Sequence, residues 1–370
     1  MKKKVVILYG GKSVEHDISI ITALQTMMFL PKKYDYLPVY IDRDGVWWHA
    51  DNMKESKIYQ NFSKLAKNPR QVSVLIGTDI LLIKKKQKFV FFAQVLSVLN
   101  CCHGHTGEDG CVQGLFELCD IPQTSPDLTA SAICMDKCFV KDILEKHNIK
   151  TPAYFYFDDK AIDTLKIKRL TSKLGYPVVV KPANLGSSIG ISVCKNEDEL
   201  SSAIELAFNF DKKILIEKKI ENLREFNCAC LSFKKNLFSS QVNEVLGKGE
   251  IYSFEDKYIS KKGADKKIDK KLEKKIQKLT EKVYALLGLR GVVRIDFLFD
   301  EKHEELFVNE INTIPGSLAF YLFKNIPFSE LINCIIEDSL DRKKEEKTLI
   351  KTFESDALKI FSNINLTTKK

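Results

Sequence analysis

No apolar run in this chain approaches the roughly 18–20 residues that a bilayer span needs. The longest candidate, Ile18 to Leu30, is interrupted by Ser19, Thr22 and Gln25, so no membrane partner is expected. The Met-Lys-Lys-Lys start runs straight into the strand pattern Val5-Val-Ile-Leu8 and a Gly-Gly turn. That apolar run is too short for a signal peptide, and no small-residue cleavage site follows it. There is no C-x-x-C pair among the ten cysteines, which argues against a zinc site. Buried free thiols in a reducing cytoplasm are expected instead. No repeat and no low-complexity linker is visible.

What is abundant is positive charge, +9 in total, and its placement argues against a nucleic-acid partner. Residues 257–278 carry ten lysines against Asp265, Asp269 and Glu273. Within that stretch Ile268, Leu272, Ile276 and Leu279 recur at helical spacing, continuing to Val283 and Leu286. The lysines therefore fill the solvated face of an amphipathic helix that Gly288 ends. Beyond Tyr258 at its edge, no aromatic residue is interleaved for base stacking.

At 370 residues the chain has room for two or three domains. Residues 1–125 read as α/β: a buried strand Lys4–Tyr9, a helix through Ala23 to Leu30, and a hairpin of Leu37–Ile41 and Val46–His49. Ile80–Ile83, Lys88–Phe92 and Val95–Cys102 are predicted as further strands. Residues 126–217 open with a helix carrying Met135-Asp-Lys137. Strand-like Tyr154–Phe157, Val178–Val180, Ile189–Val193 and Ile214–Ile216 follow. Residues 218–370 hold strands, the lysine-rich helix and terminal helices, and the tail beyond Leu340 is expected to fray.

The most informative stretch is Gly291-Val-Val-Arg294-Ile-Asp296 with Leu306-Phe-Val-Asn309-Glu310-Ile-Asn312-Thr-Ile-Pro315-Gly316. Asp296, Glu310 and Asn312 lie on two apolar segments that read as neighbouring strands. Glu310 and Asn312 are two apart and so share a face; Val308 and Ile311 are assigned to the other. Such a face beside an arginine is costly to bury unless a hard cation occupies it, and Mg²⁺ with nucleotide phosphates suits it. A hairpin with a polar outer face is the alternative.

Other segments are weaker singly. Gly10-Gly-Lys-Ser13 is not a P-loop, because the position that needs a leading glycine is Val6. Asp17 is placed to satisfy the first amides of a helix. Glu15 precedes that helix on the loop after a strand's carboxyl end, where α/β sheets bind ligands, and could hold a substrate ammonium. His103-Gly-His-Thr-Gly107-Glu108-Asp109-Gly110 reads as a substrate-lining loop or a structural turn. In Val178-Val-Val-Lys181-Pro-Ala-Asn-Leu-Gly186-Ser187-Ser188 a lysine closes a strand before a Gly/Ser loop that could wrap phosphate oxygens. Glu217 and Glu225 are acceptors suited to adenine and ribose, or else surface residues. Residues 251–258 form an aromatic, charged loop that could close over a site or simply lie exposed.

Taken in order, these motifs resemble the D-alanine–D-alanine ligases of the ATP-grasp superfamily across residues 4–325. The fold implied is α/β, a three-domain ATP-grasp architecture with an N-terminal Rossmann-like domain. The activity implied is ATP-dependent joining of two D-alanines through a D-alanyl phosphate, for peptidoglycan synthesis, in a cytoplasmic enzyme that is often a homodimer. By this resemblance Lys137, Lys181 and Ser188 would hold ATP phosphates, with Glu217 and Glu225 at adenine and ribose. Asp296, Glu310 and Asn312 would hold two Mg²⁺, or Mn²⁺. Glu15, Ser187 and Tyr258 match the family's hydrogen-bonded triad, His103 a substrate-side histidine, and Arg294 with the Gly316 amide an oxyanion site. Tyr258 favours an amine nucleophile over a hydroxy acid. The chain departs from the family after Gly316: Ser317-Leu-Ala-Phe-Tyr-Leu322 replaces the common Met-Thr-Ser-His-Ser-Leu. The family serine that holds the second substrate's carboxylate therefore aligns with Tyr321. Ser317 or Tyr321 would substitute, with Lys257 supplying charge. Gln123-Thr-Ser125 likewise replaces Tyr-Thr-Gly. The alternatives left open are a ligase joining D-alanine to another second substrate, such as D-serine, and a non-catalytic nucleotide-binding relative.

Overall fold

The computed structural model describes residues 2–158, 163–245 and 268–362. Its first strand, β1 (Lys4–Gly10), is buried from Val5 onward. It pairs in parallel with β2 (Tyr36–Ile41) on one side and β6 (Lys88–Asn100) on the other. A parallel strand covered on both faces reads as a continuous apolar run, which Val5–Tyr9 supplies. The antiparallel strands β3 (Trp47–His49), β4 (Arg70–Leu75) and β5 (Ile80–Lys85) close this sheet into a ring. Lys88–Phe92 and Val95–Cys102, expected as two strands, are one: β6 runs 13 residues and absorbs the change of phase in a register shift at Leu81/Leu82 of its partner.

Helix α1 (His16–Phe29) follows β1. Asp17 does not cap it as expected; its carboxylate instead accepts from Arg43 at 2.8 Å. The short helix α2 (Phe62–Leu65) and α3 (Cys111–Leu118) complete this unit.

A second, antiparallel sheet has the order β7 (Tyr154–Phe157), β10 (Ile214–Lys218), β8 (Val178–Pro182), β9 (Ser192–Cys194). Helices α6 (Thr164–Leu174) and α7 (Glu197–Phe208) bury Ile167, Leu200, Ala203 and Ala207 against it. β9 begins three residues later than expected. The preceding loop turns through Ser187, Ser188 and Gly190, all at positive φ (56°, 59° and 72°), and Gly190 falls inside the expected strand.

The third sheet runs β12 (Asn236–Ser239), β11 (Leu223–Phe233), β14 (Val292–Asp300), β15 (Glu305–Asn312), with β13 (Asn243–Val245) also on β11. The lysine-rich helix α8 (Lys270–Leu286) packs Leu272, Ile276 and Val283 into its core and is followed by Gly288 at φ 62°. Helices α4 (Leu128–Met135) and α5 (Lys137–Lys146) share that core. Met135-Asp-Lys137 lies at the break between them, not within one helix. Asp136 caps α5 by accepting from the Cys138 and Phe139 amides at 2.9 and 3.2 Å, which fixes Lys137 at the helix start.

Helix α9 (Phe328–Glu346) packs back on the first unit, so one core joins β1, α1, α9 and part of β11. It extends six residues past Leu340 where fraying was expected. The buried Lys343 secures it through Asp120 at 2.6 Å and Glu346 at 3.0 Å. A last helix, α10 (Ala357–Ser362), is exposed. All ten cysteines are free and all but Cys111 are buried. Among the described residues no helix is long and apolar enough to cross a membrane.

Candidate active site

The β14–β15 pair sets the site. Asp296 stands opposite Glu310 and Arg294 opposite Asn312. Plain alternation would put Val308 on the same face as Glu310, contrary to the assignment made from the sequence. A bulge reconciles them: the register shifts after Asp296, so Phe297 pairs with Val308 and Asn309 is the extra residue. Val308 and Ile311 are thereby both buried in the sheet core, while Glu310 borders the cleft.

Arg294 grips Asp296 with two parallel bonds, Nε to Oδ1 at 2.7 Å and one terminal nitrogen to Oδ2 at 2.8 Å. Asn312 Nδ2 also donates to Asp296 Oδ2, at 3.1 Å. Lys137 Nζ lies 4.0 Å from Glu310 and donates to the Leu185 carbonyl at 2.7 Å. Lys181, at the end of β8, donates to Asn309 Oδ1 at 3.3 Å and forms an ion pair with Glu217.

Glu217 is only 2% exposed and sits between two cations, its other oxygen 3.0 Å from Lys141 Nζ. Burial pushes its carboxyl up, but Lys141 and Lys181 outweigh that and hold it below the usual range. Lys141, 1% exposed, is shifted down by burial, with the Glu217 charge opposing the shift. Glu217 is thus placed as the shared counter-ion of two buried lysines as well as on the wall of the cleft. The sequence reading missed Lys141. Its signal was a lysine one helical turn beyond Lys137, on the stripe that also buries Leu144.

These residues line a cleft of about 400 Å³ between the second and third sheets, closed on one side by α1. Lys181, Ser188, Glu217, Glu225, Arg294, Asp296, Glu310, Gly316, Ser317 and Tyr321 all face it. A smaller recess, bordered by Glu15, Glu108, Lys137, Gly186, Glu310 and Asn312, adjoins it at Glu310. Lys257 and Tyr258 lie outside the described residues.

Glu15 is buried where two loops meet. Ser187 Oγ donates to its Oε1. A side chain at Gly186 would stand 3.0–3.1 Å from its carboxylate oxygens, and one at Gly104 would stand 2.7 Å away. Only glycine leaves that space. Glu108 is partly buried beside it and ties two units together, accepting from the Gly104 amide and the Ile314 amide, each at 2.7 Å. Burial, and then the Glu15 charge, raise its carboxyl above the usual range.

His103 Nε2 lies 2.9 Å from Thr22 Oγ1, and its ring also bonds the Ile314 backbone. Burial, reinforced by Arg294, lowers its pKa to about 4, so the ring is neutral at pH 7. Thr22 Oγ1 in turn accepts from the Ser317 amide at 2.9 Å. The Thr22 hydroxyl proton is then directed to Nε2, which satisfies all three groups. Thr22 was also missed from sequence, because its partner lies 295 residues away. The segment it anchors is strained: Ser317, Leu318 and Ala319 all have positive φ (53°, 49° and 48°). That conformation costs non-glycine residues roughly 1–2 kcal/mol each, and the buried Leu318 and Ala319 hold it in place.

The family models for the D-Ala D-Ala ligase N-terminus and C-terminus match residues 4–126 and 143–337. The chain belongs to the D-alanine–D-alanine ligase family. It is an ATP-dependent ligase of the ATP-grasp superfamily. The D-alanine–D-alanine ligase of Thermosipho melanesiensis is 38% identical, over 96% of this chain and 98% of that protein. The one from Chloroherpeton thalassium is 37% identical, over 94% and 98%. Among solved structures, the VanG D-Ala:D-Ser ligase of Enterococcus faecalis superposes with a TM-score of 0.79 at 29% identity, covering 92% of this chain and all of that one. The D-alanine-D-alanine ligase of Coxiella burnetii gives 0.79 at 26% identity, covering 95% and 97%. The three-domain ATP-grasp fold with its Rossmann-like first unit is therefore that of the family.

Proposed function

We propose that this enzyme joins two D-alanine molecules at the expense of ATP. The carboxylate of the first attacks the γ-phosphorus, giving D-alanyl phosphate and ADP. The amine of the second then attacks the acyl carbon. A C–N bond forms, the C–O bond to phosphate breaks, phosphate departs with that electron pair, and the amine gives up a proton. The dipeptide serves peptidoglycan precursor synthesis. The observation that carries this reading is convergence of Lys181, Asp296, Glu310, Arg294 and Gly316 on one cleft, with Lys137, Asn312 and Glu15 on the recess that adjoins it at Glu310 and Ser187 bonded to Glu15.

In this reading Lys137, Lys181 and Ser188 hold phosphates. Glu225 faces the nucleoside, and Glu217 does so while holding Lys141 and Lys181. Glu15 takes the first substrate's ammonium with His103 nearby. Arg294 and the Gly316 amide stabilise the tetrahedral oxyanion, a donor role worth about 2.7–4 kcal/mol. Ser317 and Tyr321 border the second substrate; by the family resemblance Lys257 supplies charge to it and Tyr258 completes the triad with Glu15 and Ser187. Asp296, Glu310 and Asn312 fit two Mg²⁺ by donor chemistry: all offer hard oxygens, and Asp296 and Glu310 face each other across adjacent strands. Bound there, the ions would neutralise charge on the β- and γ-phosphates. Free cysteines fit a reducing cytoplasm, and a homodimer follows from the resemblance alone.

A second reading, with an amino acid such as D-serine as the second substrate, draws on the altered 317–322 segment. One experiment separates them: dipeptide and phosphate formation from ATP and Mg²⁺ with D-alanine alone, then with D-serine or D-lactate added. D-Alanine alone should give dipeptide and phosphate in equal amounts; background levels would end the proposal. Losing a group behind a metal ligand costs about 10–100-fold, so Glu310→Gln should lower turnover by more than roughly a hundredfold. Wild-type turnover in that variant would remove the metal assignment.

A further inference from the structure

Helix α1 forms a wall of the cleft. Ile18, Ile21 and Gln25 line it together with Ser317 and Tyr321, at the i, i+3, i+7 spacing of one helical face. Thr22, between them, fixes the Ser317 amide. This wall faces the segment where the chain departs from its family, and two features set it apart. Three consecutive non-glycine residues, Ser317 to Ala319, hold positive φ, and strain of this kind gathers at functional sites. Gln25 Oε1 is a buried acceptor without a hydrogen-bond partner, and such an atom calls for an N–H or O–H.

We propose that Gln25 binds the second substrate, its Oε1 accepting a hydrogen bond from that substrate's α-amino group. This rests on the ligase reading and deepens it. D-Alanine as a zwitterion has no other donor, since its carboxylate only accepts and its methyl does neither. The chemistry also distinguishes the two amines. The first substrate's amine does not react, so an anionic residue, Glu15, can hold it as a cation. The second must attack as neutral NH₂. A carboxylate beside it would favour its protonated form, whereas a carboxamide orients it without adding charge.

The test is initial-rate kinetics on full-length wild type, Gln25→Leu, Gln25→Met and Gln25→Glu, with D-alanine varied at saturating ATP and Mg²⁺ and fitted to two D-alanine sites. Both apolar variants should raise the second-site KM roughly tenfold. The first-site KM, the KM for ATP and the melting temperature should stay unchanged. In Gln25→Glu the alkaline rise of kcat/KM for the second D-alanine should move to higher pH, which a residue that merely packs the helix would not cause. Wild-type constants in both apolar variants, or an equal rise in all three KM values, overturns the inference while dipeptide formation upholds the ligase. Absence of dipeptide from the wild type overturns the ligase reading itself.

Discussion

On the strand side of the cleft, charge is balanced by close neighbours. Asp296 is gripped by Arg294 two residues back and by Asn312 on the neighbouring strand, and Glu217 lies between Lys141 and Lys181. On the helix side, order comes from distant partners. Thr22 fixes Ser317, Ser187 bonds Glu15, and Glu108 joins the Gly104 and Ile314 amides. The first wall is a set of paired charges on strands and the adjoining helix α5. The second is assembled only when three separate loops meet, and its strained turn has no strand ladder to hold it. The first should therefore fail by losing stability when a charge is removed, and the second by losing substrate geometry.

The largest effect that tests this contrast is at Glu217. Removing one partner of a buried ion cluster typically costs about 3–5 kcal/mol, because the remaining charge is stranded. Glu217→Gln should lower the unfolding free energy by about that amount in urea titration. Adding Lys141→Met should restore part of it, since one stranded cation is gone. A Glu217→Gln protein as stable as wild type would mean the triad is not the buried charge centre of this wall.

A smaller effect comes from His103 and has a defined pH sign. Its folded pKa is about 4 against an ordinary 6.5. Between those values the unfolded chain binds a proton that the folded chain refuses. Stability from this group is full above pH 6.5 and is lost as pH falls through 6.5 toward 4, by on the order of 2–3 kcal/mol. His103→Gln should flatten the unfolding free energy over that window. An unchanged acid slope in the variant would assign it to other groups.

The same contrast explains what could be read in the sequence. Strand residues announce themselves by spacing, so Lys181, Asp296, Glu310 and Asn312 could be assigned to strand positions, which lie on the cleft or its adjoining recess, and the amphipathic lysine helix was placed to within a residue or two of its end. Even there the bulge at Asn309 escaped, because an extra residue leaves no mark in a pattern of alternating side chains. Lys141 escaped because a buried lysine on a helix looks like a solvated one until its carboxylate is located. Thr22 and Gln25 appear only as interruptions of an apolar helix. For Thr22 the meaning lies in a turn 295 residues onward, whose left-handed backbone no local preference of Ser-Leu-Ala would suggest. Asp17 shows the converse, a strong local signal for a helix cap overridden by Arg43.

The smallest predicted effect is also the finest test of how the helix side works. Thr22→Val keeps the side-chain volume but removes the oxygen that accepts the Ser317 amide and faces His103 Nε2. A buried amide left without an acceptor costs about 1–3 kcal/mol, and relaxation of the nearby turn should bring this to the lower end. If the turn only scaffolds the fold, that loss will appear as a lower melting temperature with unchanged kinetics. If it shapes the second-substrate pocket, released strain at Ser317–Ala319 will move the turn, and kcat/KM for the second D-alanine will fall by roughly tenfold while the KM for ATP holds. Measuring both in one variant decides between these outcomes. The second is expected, because the strained turn begins at Ser317, which borders the cleft.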